Sequence, residues 1–140
     1  MKALSNNSGK SSLAVVAVLA IIVGAISWQF IIKPARLGAM AKETRTSLEV
    51  MRNALGKYFA QKGNYPETLD AMIPAYISKI PNSNPPPTPP SARVQYVSSA
   101  SELDFGGGWA FDNNSESPTY GCLFVNAKGN DSKDQPWTSY

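Results

Sequence analysis

Two segments near the start of the chain differ in how their apolar residues are arranged. Residues 13–32 are uncharged and almost all apolar, whereas apolar residues in 37–58 recur at steps of four and three. The second pattern places a mostly apolar stripe on one face of a helix. We therefore expect a helix that is apolar all round, followed by an amphipathic helix that ends at Lys62, before Gly63. Pro34 lies between them and predicts a bend, because it lacks an N–H group and its ring presses on the preceding turn.

The rest of the chain predicts a small sheet. Residues 81–90 contain six prolines and are expected to form a loop. Alternating apolar segments bounded by turn-forming residues predict strands at 93–98, 108–111 and 120–126. The last two flank "DNNSESP" and are expected to pair as an antiparallel hairpin. The predicted fold class is α+β, with a long N-terminal helix whose second half packs on a small antiparallel sheet.

The length of the apolar segment favours a membrane anchor. As a helix, residues 13–32 would rise about 30 Å, which is the thickness of the hydrocarbon core of a bilayer. A cleaved secretory signal usually has a shorter apolar core of roughly 7–15 residues. The expected organisation is a basic leader or cytoplasmic tip (1–12), a transmembrane or filament-core helix (13–32), an amphipathic helix (33–62) and a globular head (63–140).

Charge and composition restrict the chemistry. The formal net charge is +3, which is too small to indicate nucleic acid as a partner. Residues 33–62 carry seven basic and two acidic residues, while 63–140 carry four basic and eight acidic residues, so a basic stem precedes an acidic head. The chain has no histidine and one cysteine, which argues against an enzyme. That cysteine, Cys122, is predicted to be a small buried apolar residue within its strand.

Two further groups of residues are candidates for function. The predicted assembly residues are Pro34, for the bend, and Ala17, Ala20 and Gly24. The last three share one face of the first helix, where small residues permit close helix approach, although a generic anchor would also explain them. In the polar tail, Asn130, Asp131 and Asp134 could supply oxygen ligands to calcium. Their spacing does not match an EF-hand, and a solvated polar loop is the alternative. No other cofactor is expected.

The order of these features resembles the superfamily of type IV pilins and type II secretion pseudopilins. The resemblance is carried by the apolar helix with Pro34, by "RNALGKYFAQKGNYPETLDAMIPAYISKIP", by "GGGWAFD" and by the ending "DSKDQPWTSY". It implies a structural filament subunit that polymerises through its N-terminal apolar helix. The implied partners are copies or related pilins, inner-membrane lipid and the filament assembly machinery. The implied location is the bacterial inner membrane before assembly, and a periplasmic or cell-surface filament afterwards. Some pseudopilins bind calcium in a C-terminal loop, which here would be the loop around Asp131.

The chain departs from that superfamily at its processing site. Prepilins are cut after a glycine, and the fifth residue of the mature chain is a glutamate. Here cleavage would fall between Gly9 and Lys10 and would place Ala14 at the acidic position, whereas alignment on Pro34 places Ala17 there. A minor pilin, an atypical pseudopilin and a membrane-anchored extracytoplasmic binding module that does not polymerise all remain open.

Overall fold

The computed structural model describes residues 8–27 and 33–140, and their division into two compact units falls between Arg36 and Leu37. Two helices and a three-stranded sheet make up the fold, which confirms the predicted α+β class. The helices are α1 (Ser8–Ser27) and α2 (Lys33–Lys62), and the strands are β1 (Val94–Val97), β2 (Trp109–Asp112) and β3 (Leu123–Val125). Short 3₁₀ helices cover Leu69–Met72, Ala100–Glu102 and Trp137–Ser139.

The first helix is present where the apolar segment predicted one. It begins at Ser8, inside the predicted leader, and extends to Ser27. The end of the apolar segment, residues 28–32, lies outside the described residues, as does most of the leader. Among the residues that are described, we find no helix that combines the length and the apolar character needed to cross a membrane.

The second helix confirms the predicted stripe. Ala41, Thr44, Leu48, Met51 and Leu55 are all buried, as the spacing of four and three requires. At the two ends of the predicted stripe, Leu37 is exposed and Tyr58 is half-buried.

The ends of α2 follow ordinary capping rules. Pro34 is its second residue, where a missing N–H group costs no intrahelical hydrogen bond. The predicted bend at this proline involves the preceding turn, which falls within residues 28–32 and so outside the described chain. At the other end Gly63 adopts a φ of 79° and its N–H donates to the carbonyl of Phe59 at 2.8 Å. Glycine adopts this left-handed conformation without strain, so the helix stops where predicted.

The sheet differs from the prediction in the direction of one strand. Its order is β1-β2-β3, and the β2–β3 pair is antiparallel, as the hairpin prediction requires. The β1–β2 pair is parallel, with Val94 opposite Trp109 and Val97 opposite Asp112, so the prediction of a wholly antiparallel sheet is wrong. Residues 98–108 run from the end of β1 back to its start before β2 begins, so the two strands run in the same direction. Gly108 makes this return possible, because a Cβ there would collide with the carbonyl of Arg93.

The core of the second unit forms between α2 and the sheet. It includes Trp137 from the C-terminal tail and buried side chains from both elements: Leu48, Met51, Leu55, Trp109, Phe111, Leu123 and Val125. The other face of β2 is covered as well, because Ala110 packs with Val97 and Leu103. As predicted, residues 81–90 form a loop, and the indole N–H of Trp109 donates to the carbonyl of Pro81 at 2.8 Å.

The prediction that Cys122 is buried is wrong. Cys122 is exposed and lies just before β3, which begins at Leu123. Alternation along a strand directs Leu123 and Val125 into the core, so the side chain at 122 falls on the other side.

Candidate assembly surfaces

The side chains of α1 from residue 14 to residue 26 are apolar all round and exposed. Every side chain from residue 14 to residue 27 is exposed. The large apolar ones are between 48% and 72% exposed: Val15, Val16, Val18, Leu19, Ile21, Ile22, Val23 and Ile26. A helix that is apolar on every side is normally found inside a large protein or in a membrane. The described residues leave this part of α1 exposed.

Three of the predicted assembly residues lie together on α1, while Pro34 is the second residue of α2. Ala17, Ala20 and Gly24 are separated by three and four residues, so the helical backbone places them on one face. A Cβ added at Gly24 would meet no atom within 4 Å. Packing within the described chain therefore does not require a glycine here.

The residues of the predicted processing site lie within the same helix. Gly9 and Lys10 follow Ser8 in the first turn of α1. Whether the chain is cut between them stays a prediction.

The candidate calcium residues lie in a loop of the C-terminal tail, where Asp131 forms an ion pair with Arg45 of α2. One carboxylate oxygen of Asp131 accepts hydrogen bonds from Arg45 and from the hydroxyl of Tyr140, each at 2.6 Å. Its other oxygen accepts from the backbone N–H groups of Lys133 and Gln135, at 2.7 and 3.0 Å. Burial alone would raise the pKa of Asp131, but these hydrogen bonds and the Arg45 charge outweigh it and lower the pKa. Asp131 is thus an anion whose acceptor positions are all used.

The other two calcium candidates contact each other instead. The amide nitrogen of Asn130 donates to a carboxylate oxygen of Asp134 at 2.8 Å. Within residues 8–27 and 33–140, no three acidic, cysteine or histidine side chains are grouped so as to hold a metal ion. Calcium binding stays a prediction, and it would require the cation to replace Arg45 beside Asp131.

A cavity of about 270 Å³ lies where the tail meets the start of α2 in the second unit. Its apolar walls come from Leu37, Ala41, Pro86, Pro87 and Trp137. In the described part of the chain the buried indole N–H of Trp137 has no acceptor. Sequence reasoning did not identify this cavity. The available signal was the presence of Trp137 and Tyr140 in an otherwise polar tail, since large aromatic residues there indicate that the tail packs on the head.

Comparison of the chain with protein-family models, with curated proteins and with solved structures found no match in any of the three. The exposed surface of α1 and the surfaces of the second unit are therefore the features from which a function can be inferred.

Proposed function

We propose that the chain is a structural subunit of a type IV pilus-like or type II secretion pseudopilus filament, assembled through its N-terminal apolar helix. The observation that carries the proposal is the exposure of α1, on which every side chain from residue 14 to residue 27 lacks cover. Burial of apolar surface contributes about 25 cal/mol per Å². Eight exposed Val, Leu and Ile side chains therefore provide a strong drive to enter lipid or a bundle of similar helices.

Lipid and a bundle are two stages of one process in this proposal. Lipid would cover α1 of each subunit before assembly, with the apolar segment spanning the inner membrane. Moving the helix from lipid into a bundle gains little from the hydrophobic effect, so close packing must provide the preference. The face formed by Ala17, Ala20 and Gly24 supports such packing, because its side chains are small and unused within the described chain.

The second unit supports a structural role for the rest of the chain. Its core joins one helix to a small sheet, with Met51 and Trp109 fully buried. In the proposed filament this unit is the head, and α2 is its spine. Because neither Ala14 nor Ala17 supplies the carboxylate of typical pilins, we propose an atypical subunit that assembles with its own copies. We propose no catalytic role, since the chain has no histidine and its one cysteine has no histidine partner.

A second candidate function is a membrane-anchored binding module that does not polymerise. The observation in its favour is the cavity beside Trp137, whose indole N–H could donate to a ligand. In that case α1 would remain in lipid as a monomeric anchor and the head would act alone.

The two candidates predict different locations for the same chain. Fibres sheared from cells and the remaining membrane fraction would both be probed for the protein, and its first residue would be determined by mass spectrometry. A filament subunit would be recovered in the fibres. Recovery only as a full-length monomer in the membrane would contradict the filament and favour the binding module.

Matched substitutions on α1 would test the mechanism of assembly. Ala20→Leu adds bulk to the small face, whereas Ala25→Leu adds the same bulk about a quarter-turn or more away. We expect Ala20→Leu to abolish recovery in fibres and Ala25→Leu to preserve it, with both proteins reaching the membrane. Equal recovery of the two variants would show that this face is not used.

A further inference from the structure

The cavity beside Trp137 has both buried and exposed walls. Ala41 is 1% exposed and Trp137 is 0% exposed, so these two walls belong to the core of the second unit. Leu37, Pro87 and Ser132 also line the cavity, and all three are exposed. The cavity therefore opens to the surface, and a small molecule can enter it without unfolding of the head.

The indole N–H of Trp137 is a hydrogen-bond donor that lacks an acceptor. It is buried, and no described residue accepts a hydrogen bond from it. Buried donors in native proteins nearly always have a partner, because an unmade hydrogen bond leaves a polar group without water. The other such side-chain atom in the described chain, Oδ1 of Asn84, belongs to a residue that does not line the cavity. Trp137 thus points to an acceptor supplied by an occupant of the cavity.

The volume of the cavity indicates an occupant larger than water. One water fills about 30 Å³ and needs two to four polar partners, whereas a cavity of about 150 Å³ holds benzene. At about 270 Å³, the cavity beside Trp137 has room for roughly ten non-hydrogen atoms, which is the size of two fused rings. An apolar body of that size would cover walls that water would otherwise wet.

The charges around the cavity favour an uncharged occupant. Asp131 lines the cavity as an anion, but its carboxylate is already paired with Arg45 at 2.6 Å. The remaining acceptor positions of that carboxylate are used by Tyr140 and by backbone N–H groups. A charged ligand would therefore leave water without gaining a free counter-charge, which costs far more than burying a neutral group.

The shape of the walls favours a flat occupant. Pro86, Pro87 and the indole of Trp137 are rigid rings, so they lose little conformational entropy when a ligand packs on them. A planar ring makes many contacts at once with such surfaces, and each contact adds a small attraction.

We infer that this cavity binds a small, uncharged, planar aromatic compound with an oxygen that accepts the indole N–H of Trp137. This inference rests on the binding role given above as the second candidate function, and it names the class of ligand. The site lies wholly within the second unit, so it would also be present in a filament subunit.

Nuclear magnetic resonance of the isotope-labelled full chain in phosphatidylcholine nanodiscs would test the site directly. Coumarin is the probe, because it has two fused rings, no charge and a carbonyl oxygen. The indole N–H signal of Trp137 is identified by its loss in Trp137→Phe. We expect coumarin to move this signal in a saturable way. The indole signal of Trp109, whose N–H already donates to Pro81 at 2.8 Å, should stay in place.

Two further probes separate the hydrogen bond from the charge. Naphthalene has two fused rings without an acceptor, and naphthoate adds a negative charge to it. Equilibrium dialysis, with the uptake by empty nanodiscs subtracted, measures the affinity of each. Trp137→Phe should weaken coumarin binding about ten-fold more than naphthalene binding, because only coumarin loses a hydrogen bond. Naphthoate should bind at least ten-fold more weakly than naphthalene.

A matched pair of surface variants tests the site without changing the core. Ser132→Phe adds a ring at the exposed side of the cavity and should weaken coumarin binding at least ten-fold. Ser115→Phe makes the same change at an exposed serine that does not line the cavity and should leave the affinity unchanged. This pair decides the location of the site even if Trp137→Phe does not fold.

The outcomes separate this inference from the proposals on which it builds. It is overturned if coumarin leaves the Trp137 signal in place, if Ser132→Phe binds coumarin as tightly as the unmodified chain, or if naphthoate binds as tightly as naphthalene. Equal losses of coumarin and naphthalene binding in Trp137→Phe would also overturn it, since the hydrogen bond would then be absent. Recovery of the chain in fibres or as a membrane monomer is measured independently, so neither candidate function fails with this ligand.

Discussion

The two units of the chain differ in where their apolar side chains find cover. In the second unit, Met51, Trp109 and Trp137 are fully buried by the chain itself. In α1, side chains of the same chemistry, such as Ile21 at 72% exposure, lie uncovered. The head therefore has its own core, whereas the apolar side chains of α1 are exposed among the described residues. This difference is the physical basis of the proposed function.

The largest expected effect is on the unfolding free energy, when one apolar side chain in each unit is replaced by alanine. Trp109→Ala should lower the free energy of unfolding of the head by about 3–5 kcal/mol, because it leaves a cavity in a packed core. Ile22→Ala in α1 should leave that free energy unchanged, since its side chain is exposed. Denaturant unfolding of the full chain in detergent, followed by tryptophan fluorescence for Ile22→Ala and by circular dichroism for both, would measure the effects. A similar loss from Ile22→Ala would mean that α1 belongs to the core of the head.

The next effect concerns the attachment of the C-terminal tail to α2. Arg45→Ala should destabilise the head by about 2 kcal/mol, because it leaves the buried carboxylate of Asp131 without its cation. Arg93→Ala breaks the exposed pair with Asp104 and should have a much smaller effect. Thermal unfolding of both variants provides the comparison. Equal melting temperatures would show that the tail does not depend on Arg45.

A smaller effect should appear as a pH dependence. The folded state lowers the pKa of Asp131, so ionised Asp131 stabilises the head above its unfolded pKa of about 3.9. That stabilisation should be lost as the pH falls through the lower folded value. Asp112 and Asp104 also have lowered pKa values, so the measurement must compare the native chain with Asp131→Asn. We expect the difference in unfolding free energy between them to shrink below about pH 4. A difference that stays constant with pH would contradict this role of the carboxylate.

The smallest effect tests the end of α2. Gly63→Ala should cost about 1 kcal/mol, because alanine is strained at a φ of 79° although its Cβ would meet no atom within 4 Å. Gly56→Ala, which lies within the helix and also has open space, should be neutral or stabilising. Melting temperatures that move in the same direction for both variants would show that the conformation at residue 63 is not the cause.

Local patterns predicted more of this fold than long-range contacts did. The spacing of Ala41, Leu48 and Leu55 was enough to find the buried stripe, because helical periodicity depends only on nearby residues. The direction of β1 was mispredicted, since it depends on how residues 98–108 return and on where Gly108 meets Arg93. Pairing direction is a property of two segments and leaves little trace in either one.

In the candidate sites, too, local patterns could be predicted from the sequence and long-range contacts could not. Ala17, Ala20 and Gly24 could be placed on one face from sequence alone. The environment of Asp131 could not be predicted, because its cation comes from Arg45, which is 86 residues away.

The central claim is that α1 is covered by the α1 helices of other copies. Disulfide formation in sheared fibres or native membranes tests it most directly, with Ala20→Cys and Ala25→Cys each placed in a Cys122→Ser background. We predict that mild oxidation links Ala20→Cys chains into dimers through the small face, while Ala25→Cys chains remain unlinked. Monomers from both variants, with the protein still in the membrane, would contradict the claim.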